Sequence, residues 1–120
     1  AALHYQQVLN LHQGKTDLKS WLERSQAFAH LGMQEQAIKA LHQSQKLAPE
    51  NSEVYFNAAL IYTLIGEQIS AMVQVQNALD HDVGVVWFRL PWFDRLCQQA
   101  GFRDIMTKQN AKERCLAAPG

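Results

Sequence analysis

The 120-residue chain predicts an all-α fold, a right-handed α-solenoid of antiparallel helical hairpins with about six to seven helices. Three observations carry this. Between Leu18 and Val85 the residues make two copies of one pattern offset by 34 positions: Trp21 matches Tyr55, Phe28 matches Tyr62, Leu31 matches Ile65, Gly32 matches Gly66, Ala37 matches Ala71, Ile38 matches Met72, Leu41 matches Val75 and Ser44 matches Ala78. Within each copy apolar residues recur at helical spacing. Single glycines and Pro49 fall between the periodic stretches, where chain reversals belong. A hairpin of this size cannot bury its apolar face alone, so neighbours stack into one core and leave a curved surface for partners.

The elements follow in order. A weak helical pattern from Ala2 to Gln13 carries Leu3, Val8 and Leu11 and stops at Gly14, as the second helix of an incomplete repeat would. Asp17 is placed to cap a helix from Leu18 to Leu31 whose inner stripe is Trp21, Leu22, Phe28 and Leu31. Gly32 makes a tight turn, and a helix from Gln34 to Leu47 presents Ala37, Ile38, Leu41 and Ser44 until Pro49 removes a backbone donor. Asn51 caps the next helix, Ser52 to Ile65, Gly66 repeats the turn, and a partner helix runs from Gln68 to His81. Small residues at Ala37 and Ala71 allow close helix approach, while Trp21 and Tyr55 fill the gaps between neighbours.

After Val83 the pattern degenerates. Pro91 suits the first turn of a short helix through Leu96, Gly101 is expected to end it, and a last helix from Phe102 to Arg114 carries Phe102, Ile105 and Met106 on one side. The expected organisation is a single domain, 1–120, made of a partial repeat 1–17, repeats 18–51 and 52–85, a degenerate capping repeat 86–115 and a frayed tail 116–120. Opening on Ala1 with half a repeat, the chain reads as a piece of a longer protein.

These residues resemble the tetratricopeptide repeat family. Trp21, Gly32, Ala37 and Pro49 match its motif in the first copy, and Tyr55, Tyr62, Gly66, Ala71 and Ala78 in the second, where Val83 stands in the place of the proline. Arg24 with Ser25, and Ala58 with Ala59, replace the family's leucine and glycine in the first helix. The resemblance implies a binding groove lined by first helices, here Leu22, Gln26, His30, Phe56, Asn57, Leu60 and Leu64. Co-chaperone relatives clamp a peptide's terminal carboxylate with lysine, asparagine and arginine, of which only Asn57 is present; Leu22 and Gln26 stand where lysine and asparagine would be needed. The worn final repeat is similar to the ends of such regions in bacterial signalling proteins, which implies a bacterial, cytoplasmic parent.

Composition narrows the function. Eleven basic and eleven acidic side chains cancel, which argues against an electrostatic footprint for nucleic acid or for an anionic membrane surface. Cys97 and Cys115 are too few for a disulfide framework and are expected as two free thiols in a reducing compartment. His4, His12, His30, His42 and His81 do not cluster with carboxylates or cysteines at metal-ligand spacing; His81 between Asp80 and Asp82 reads as a solvated helix end. Neither a glycine-rich phosphate loop nor a nucleophile beside an oriented base is present, so no cofactor, no metal and no catalysis are expected. An enzyme would have to use Asp94, Arg95 or Cys97 in the irregular segment.

The expected function is a protein–protein interaction module holding a peptide or protein surface in the first-helix groove. The alternative is a spacer or self-association unit, a homodimer or a contact with a neighbouring domain. It would act through Trp87, Phe88, Trp92 and Phe93, or through the face around Leu3 and Val8. Those four rings have a simpler use as the seal on the last apolar face.

Overall fold

Capping residues set where the helices begin. In the computed structural model, which describes residues 2–116, Asp17 accepts hydrogen bonds from the Ser20 amide and hydroxyl, at 3.2 and 2.7 Å. Asn51 Oδ1 accepts from the amides of Glu53 and Val54, at 2.8 and 3.2 Å. Each cap satisfies donors that have no partner inside the first turn. After α1 (Ala2–His12) the helices α2 (Leu18–His30), α3 (Gln34–Leu47), α4 (Ser52–Ile65) and α5 (Gln68–Asp80) occupy the expected segments to within a residue or so. No strand occurs among the described residues.

The two hairpins turn in the same way. Gly32 and Gly66 lie in the left-handed region at φ 76° and 87°, and the next amide reaches back to close the turn, Met33 to the Phe28 carbonyl at 2.8 Å and Glu67 to that of Tyr62 at 2.9 Å. These bonds sit at matching positions of the two copies, so the 34-residue offset holds in hydrogen bonding as well as in side chains. α2 packs on α3, α4 packs on α5, and α4 touches both helices of the first hairpin. One apolar cluster joins Ala29, Ala37 and Leu41 of the first hairpin to Ala58 and Ile61 of the second.

The chain beyond Asp80 departs from expectation. Asp82, at φ 69°, takes the left-handed turn where a proline would have stopped the helix. Residues Val85–Arg89 and Pro91–Gln98 then form 3-10 helices, the second longer than the short helix expected there. Gly101 ends nothing: it lies in the first turn of α6 (Ala100–Lys108), where an added Cβ would meet Met72 Sδ at 3.1 Å. The continuous last helix is also corrected. Asn110 adopts φ 58° and the Ala111 amide bonds back to the Met106 carbonyl at 2.8 Å, closing α6 before α7 (Glu113–Leu116) begins. Asparagine tolerates that conformation and so does a glycine's work. Residues 117–120 of the expected frayed tail lie outside the described residues.

The second apolar cluster lies under this segment, where Phe88, Phe93, Leu96, Phe102 and Met106 bury themselves against Ala59, Leu60, Ala71 and Val75. Cys97 and Cys115 are joined in a disulfide with their Cα atoms 5.3 Å apart, so the expectation of two free thiols is overturned. A single pair, 18 residues apart, gives no sequence signature of bridging; it is the turn at Asn110 that returns α7 to the 3-10 segment. Arg114 ties the same two pieces together, donating from Nε to the Phe88 carbonyl at 2.8 Å and from Nη2 to the Leu90 carbonyl at 3.2 Å and to Asp94 at 2.6 Å. No helix among the described residues is long and apolar enough to cross a membrane.

Candidate functional site

The groove expected along α2 and α4 is largely occupied by the chain itself. Leu22, Asn57 and Leu60 are buried, while Gln26, His30, Phe56 and Leu64 are half-buried. Over α4, Phe56 meets Phe88, Phe93 and Trp87 at ring-centroid distances of 5.6, 5.8 and 6.0 Å. Over the end of α2, the Tyr5 ring of α1 stacks on His30 at 4.4 Å and Trp92 approaches it edge-on at 4.8 Å. Burial among these rings holds the His30 imidazole below its ordinary pKa, because the charged form loses water there.

Asn57 is buried, and both ends of its amide are bonded within the chain. Its Oδ1 accepts from Gln26 Nε2 at 2.8 Å, its Nδ2 donates to Ser25 Oγ at 2.8 Å, and that hydroxyl donates to the Leu22 carbonyl at 2.8 Å. The chain of bonds crosses from α4 to α2 with no buried side-chain polar atom left unpaired among the described residues. It also accounts for Ser25 where the motif has glycine. Asn57→Ala is expected to cost about 2 kcal/mol, since two buried groups lose their partner. Urea unfolding measures this, and Ser25→Ala added to it should cost much less than Ser25→Ala alone.

Part of the groove stays open at the start of α2 and α4. A cleft of about 400 Å³ is lined by Lys19, Leu22, Glu23, Gln26, Glu53, Phe56 and Asn57. An adjoining one of about 320 Å³, sharing Glu53 and Phe56, is lined also by Ser52, Asp82, Val83 and Trp87. Three carboxylates and one ammonium thus surround an apolar floor. The four rings of the irregular segment divide between roles: Phe88 and Phe93 are wholly buried, whereas Trp87 and Trp92 are 55% and 40% exposed. Sequence reasoning missed the four charged residues, Lys19, Glu23, Glu53 and Asp82. Glu53 could have been found, since it lies one turn before Phe56 on the same helical face.

His81, Asp94 and Arg95 make contacts within the chain. His81 is bonded through Nδ1 to the Asn77 carbonyl at 2.7 Å and leans on Tyr55 at 4.4 Å. Asp94 pairs with Arg114, and Arg95 reaches the Thr63 carbonyl at 3.4 Å. Among the described residues no three His, Cys, Asp or Glu side chains come together as a metal site. Comparison with protein-family models, with curated proteins and with solved structures finds no match to this chain.

Proposed function

We propose that the chain is a tetratricopeptide-like binding module, a short solenoid whose open cleft between the first turns of α2 and α4 holds a peptide segment of a partner protein. The observation that carries this is the half-exposed apolar floor at Phe56 and Trp87, ringed by Glu23, Glu53 and Asp82. Buried aromatic anchors with a polar rim are what peptide recognition uses. An apolar anchor followed by lysine or arginine fits this lining best. The reading keeps the first-helix surface but confines it to its open end, since the rest is covered by Trp87–Phe93.

The solenoid and family assignments are supported by the 34-residue register and by the matched turns. Descent from a bacterial regulatory protein rests on the sequence resemblance alone. A Cys97–Cys115 bridge fits an oxidising compartment better than the cytoplasm, and so weighs against the cytoplasmic expectation.

Selection of a random peptide library on the immobilised protein tests the proposal. Enriched peptides should pair an aliphatic or aromatic residue with a cation, and should lose tenfold or more in affinity, about 1.4 kcal/mol, with Trp87→Ala or Glu53→Lys. Binders indifferent to both substitutions would sink it. A concentration-dependent dimer dispersed by Trp87→Ala would instead support the self-association alternative.

A further inference from the structure

A second cleft, of about 790 Å³, lies on the other flank of the first hairpin, and no residue lines both it and the cleft at Phe56. Trp21 and Phe28 of α2 and Ala40 of α3 form its floor, and Arg24, Lys39 and Lys46 stand around it. The chain's own repeat says what shape belongs there. In the second copy the positions matching Arg24 and Phe28 are Ala58 and Tyr62, and these pack in one cluster with Ala37 and Leu41 of α3. The α4 side of the matching surface is therefore covered by a helix, whereas Val73 and Asp80 on its α5 side are exposed. In the first copy, among the described residues, α1 packs along a different strip of α2, with His12 against Ser20 at 3.0 Å and Tyr5 against His30, and contributes no residue to the cleft.

Charge says what kind of helix it would be. The chain as a whole is neutral, yet among the described residues no Asp or Glu lines this cleft. Arg24, Lys39 and Lys46 are matched in the second copy by Ala58, Val73 and Asp80, so the basic character belongs to the first hairpin alone. Arg24 stacks on the Trp21 ring at 3.9 Å and donates to the Lys15 and Ser20 carbonyls, neutral contacts that fix its guanidinium and leave its charge unpaired by any of them. Lys39 pairs with Glu35 at 3.4 Å with both side chains largely in water, a weak pair that a better-placed carboxylate can displace. A second copy of this chain is a poor occupant. α5 would have to offer Val75, the match of Leu41, and Val75 is wholly buried under the chain's own C-terminal segment; α1 has no acidic residue at all.

We propose that the face formed by Trp21, Phe28 and Ala40 docks an amphipathic α-helix of a partner protein whose apolar stripe is flanked by aspartate and glutamate. The helix lies in the groove as α3 lies on α4, its carboxylates reaching Arg24, Lys39 and Lys46. Apolar burial gives the contact its strength, and the charges set partner choice and encounter rate.

Three synthetic helical peptides of ~18 residues, about five turns, test this. They share one leucine and phenylalanine stripe and differ in flanks of glutamate, glutamine or lysine. By fluorescence anisotropy the acidic peptide should bind at least tenfold tighter than the neutral one, and this advantage should shrink at high salt. The basic peptide should not saturate. Amide shifts should map to the outer faces of α2 and α3. Lys39→Glu with Lys46→Glu, both at exposed positions, should reverse the order while the circular dichroism is unchanged. The proposal is overturned if acidic and basic peptides bind alike, if the double variant keeps the original order, if the shifts cluster at Phe56 and Trp87, or if this face proves to hold a second copy of the chain.

Discussion

Phe93→Ala is expected to lower the stability by about 4 kcal/mol, the cost of emptying a large buried aromatic position. For a chain of this length that corresponds to a fall of about 16 °C in Tm. The ring is wholly buried, with its centroid 5.0 Å from that of Phe88 and 5.8 Å from that of Phe56. It thus stands between the 3-10 segment and α4, and neither neighbour can follow it inward, since Phe88 is itself buried and Phe56 is fixed on a helix. Trp92, one residue earlier, provides the contrast. It is 40% exposed and meets His30 only by its edge, so Trp92→Ala should cost less than about 1 kcal/mol. Thermal unfolding followed by circular dichroism measures both. Equal losses for the two rings would mean that the segment does not pack on α4 as described.

That contrast marks the boundary of what the sequence made legible. From Asp17 to Asp80 each signal is local: Asp17 and Asn51 cap, Gly32 and Gly66 take φ values closed to most side chains, and apolar positions recur every three or four residues. Such signals place helices without knowledge of the rest of the chain. From Val85 to Gln98 the backbone is mostly 3-10, whose three-residue turns do not keep the 3.6 period, and long-range contacts decide the conformation. Trp87-Phe88-Arg89-Leu90-Pro91-Trp92-Phe93 has apolar residues in almost every position, so no pattern separates the rings that go inward from those that stay out.

The groove residues were read less well for the same reason. A repeat pattern nominates one face of α2 and α4 for a groove, but not that α1 and the C-terminal segment return to lie there. Leu60 and Leu22 consequently look free in sequence and are buried in the structure. Asn57 looked like a ligand-binding amide because its partners, Gln26 and Ser25, lie about one repeat earlier, and one repeat is also the distance that brings α2 beside α4. The basic cleft at Trp21 escaped notice differently. Arg24 was read as a departure from the motif, when its meaning depended on what covers the matching Ala58.

Removal of the Cys97–Cys115 bridge is expected to destabilise the protein by about 3 kcal/mol, the entropy returned to the unfolded chain when a loop of this length is opened. The consequence should be uneven. α7 has four residues and cannot hold a helical conformation by itself; it is kept in place by the bridge and by Arg114, whose guanidinium reaches Phe88, Leu90 and Asp94. Losing the covalent link should let α7 fray and with it the carbonyl anchors of the 3-10 segment, whereas the hairpins α2/α3 and α4/α5 keep their own packing. In Cys97→Ala with Cys115→Ala, hydrogen exchange should therefore quicken first in Val85–Gln98 and α7, and Tm should fall by about 12 °C. Dithiothreitol should reproduce the shift in the parent protein and do nothing to the variant. Were the parent indifferent to the reductant, or its mass to show two free thiols, the clasp would not exist, and the segment would depend on its aromatic contacts alone. If the clasp does hold, it secures from its far end the segment whose Phe88 and Phe93 lie over Phe56 on α4.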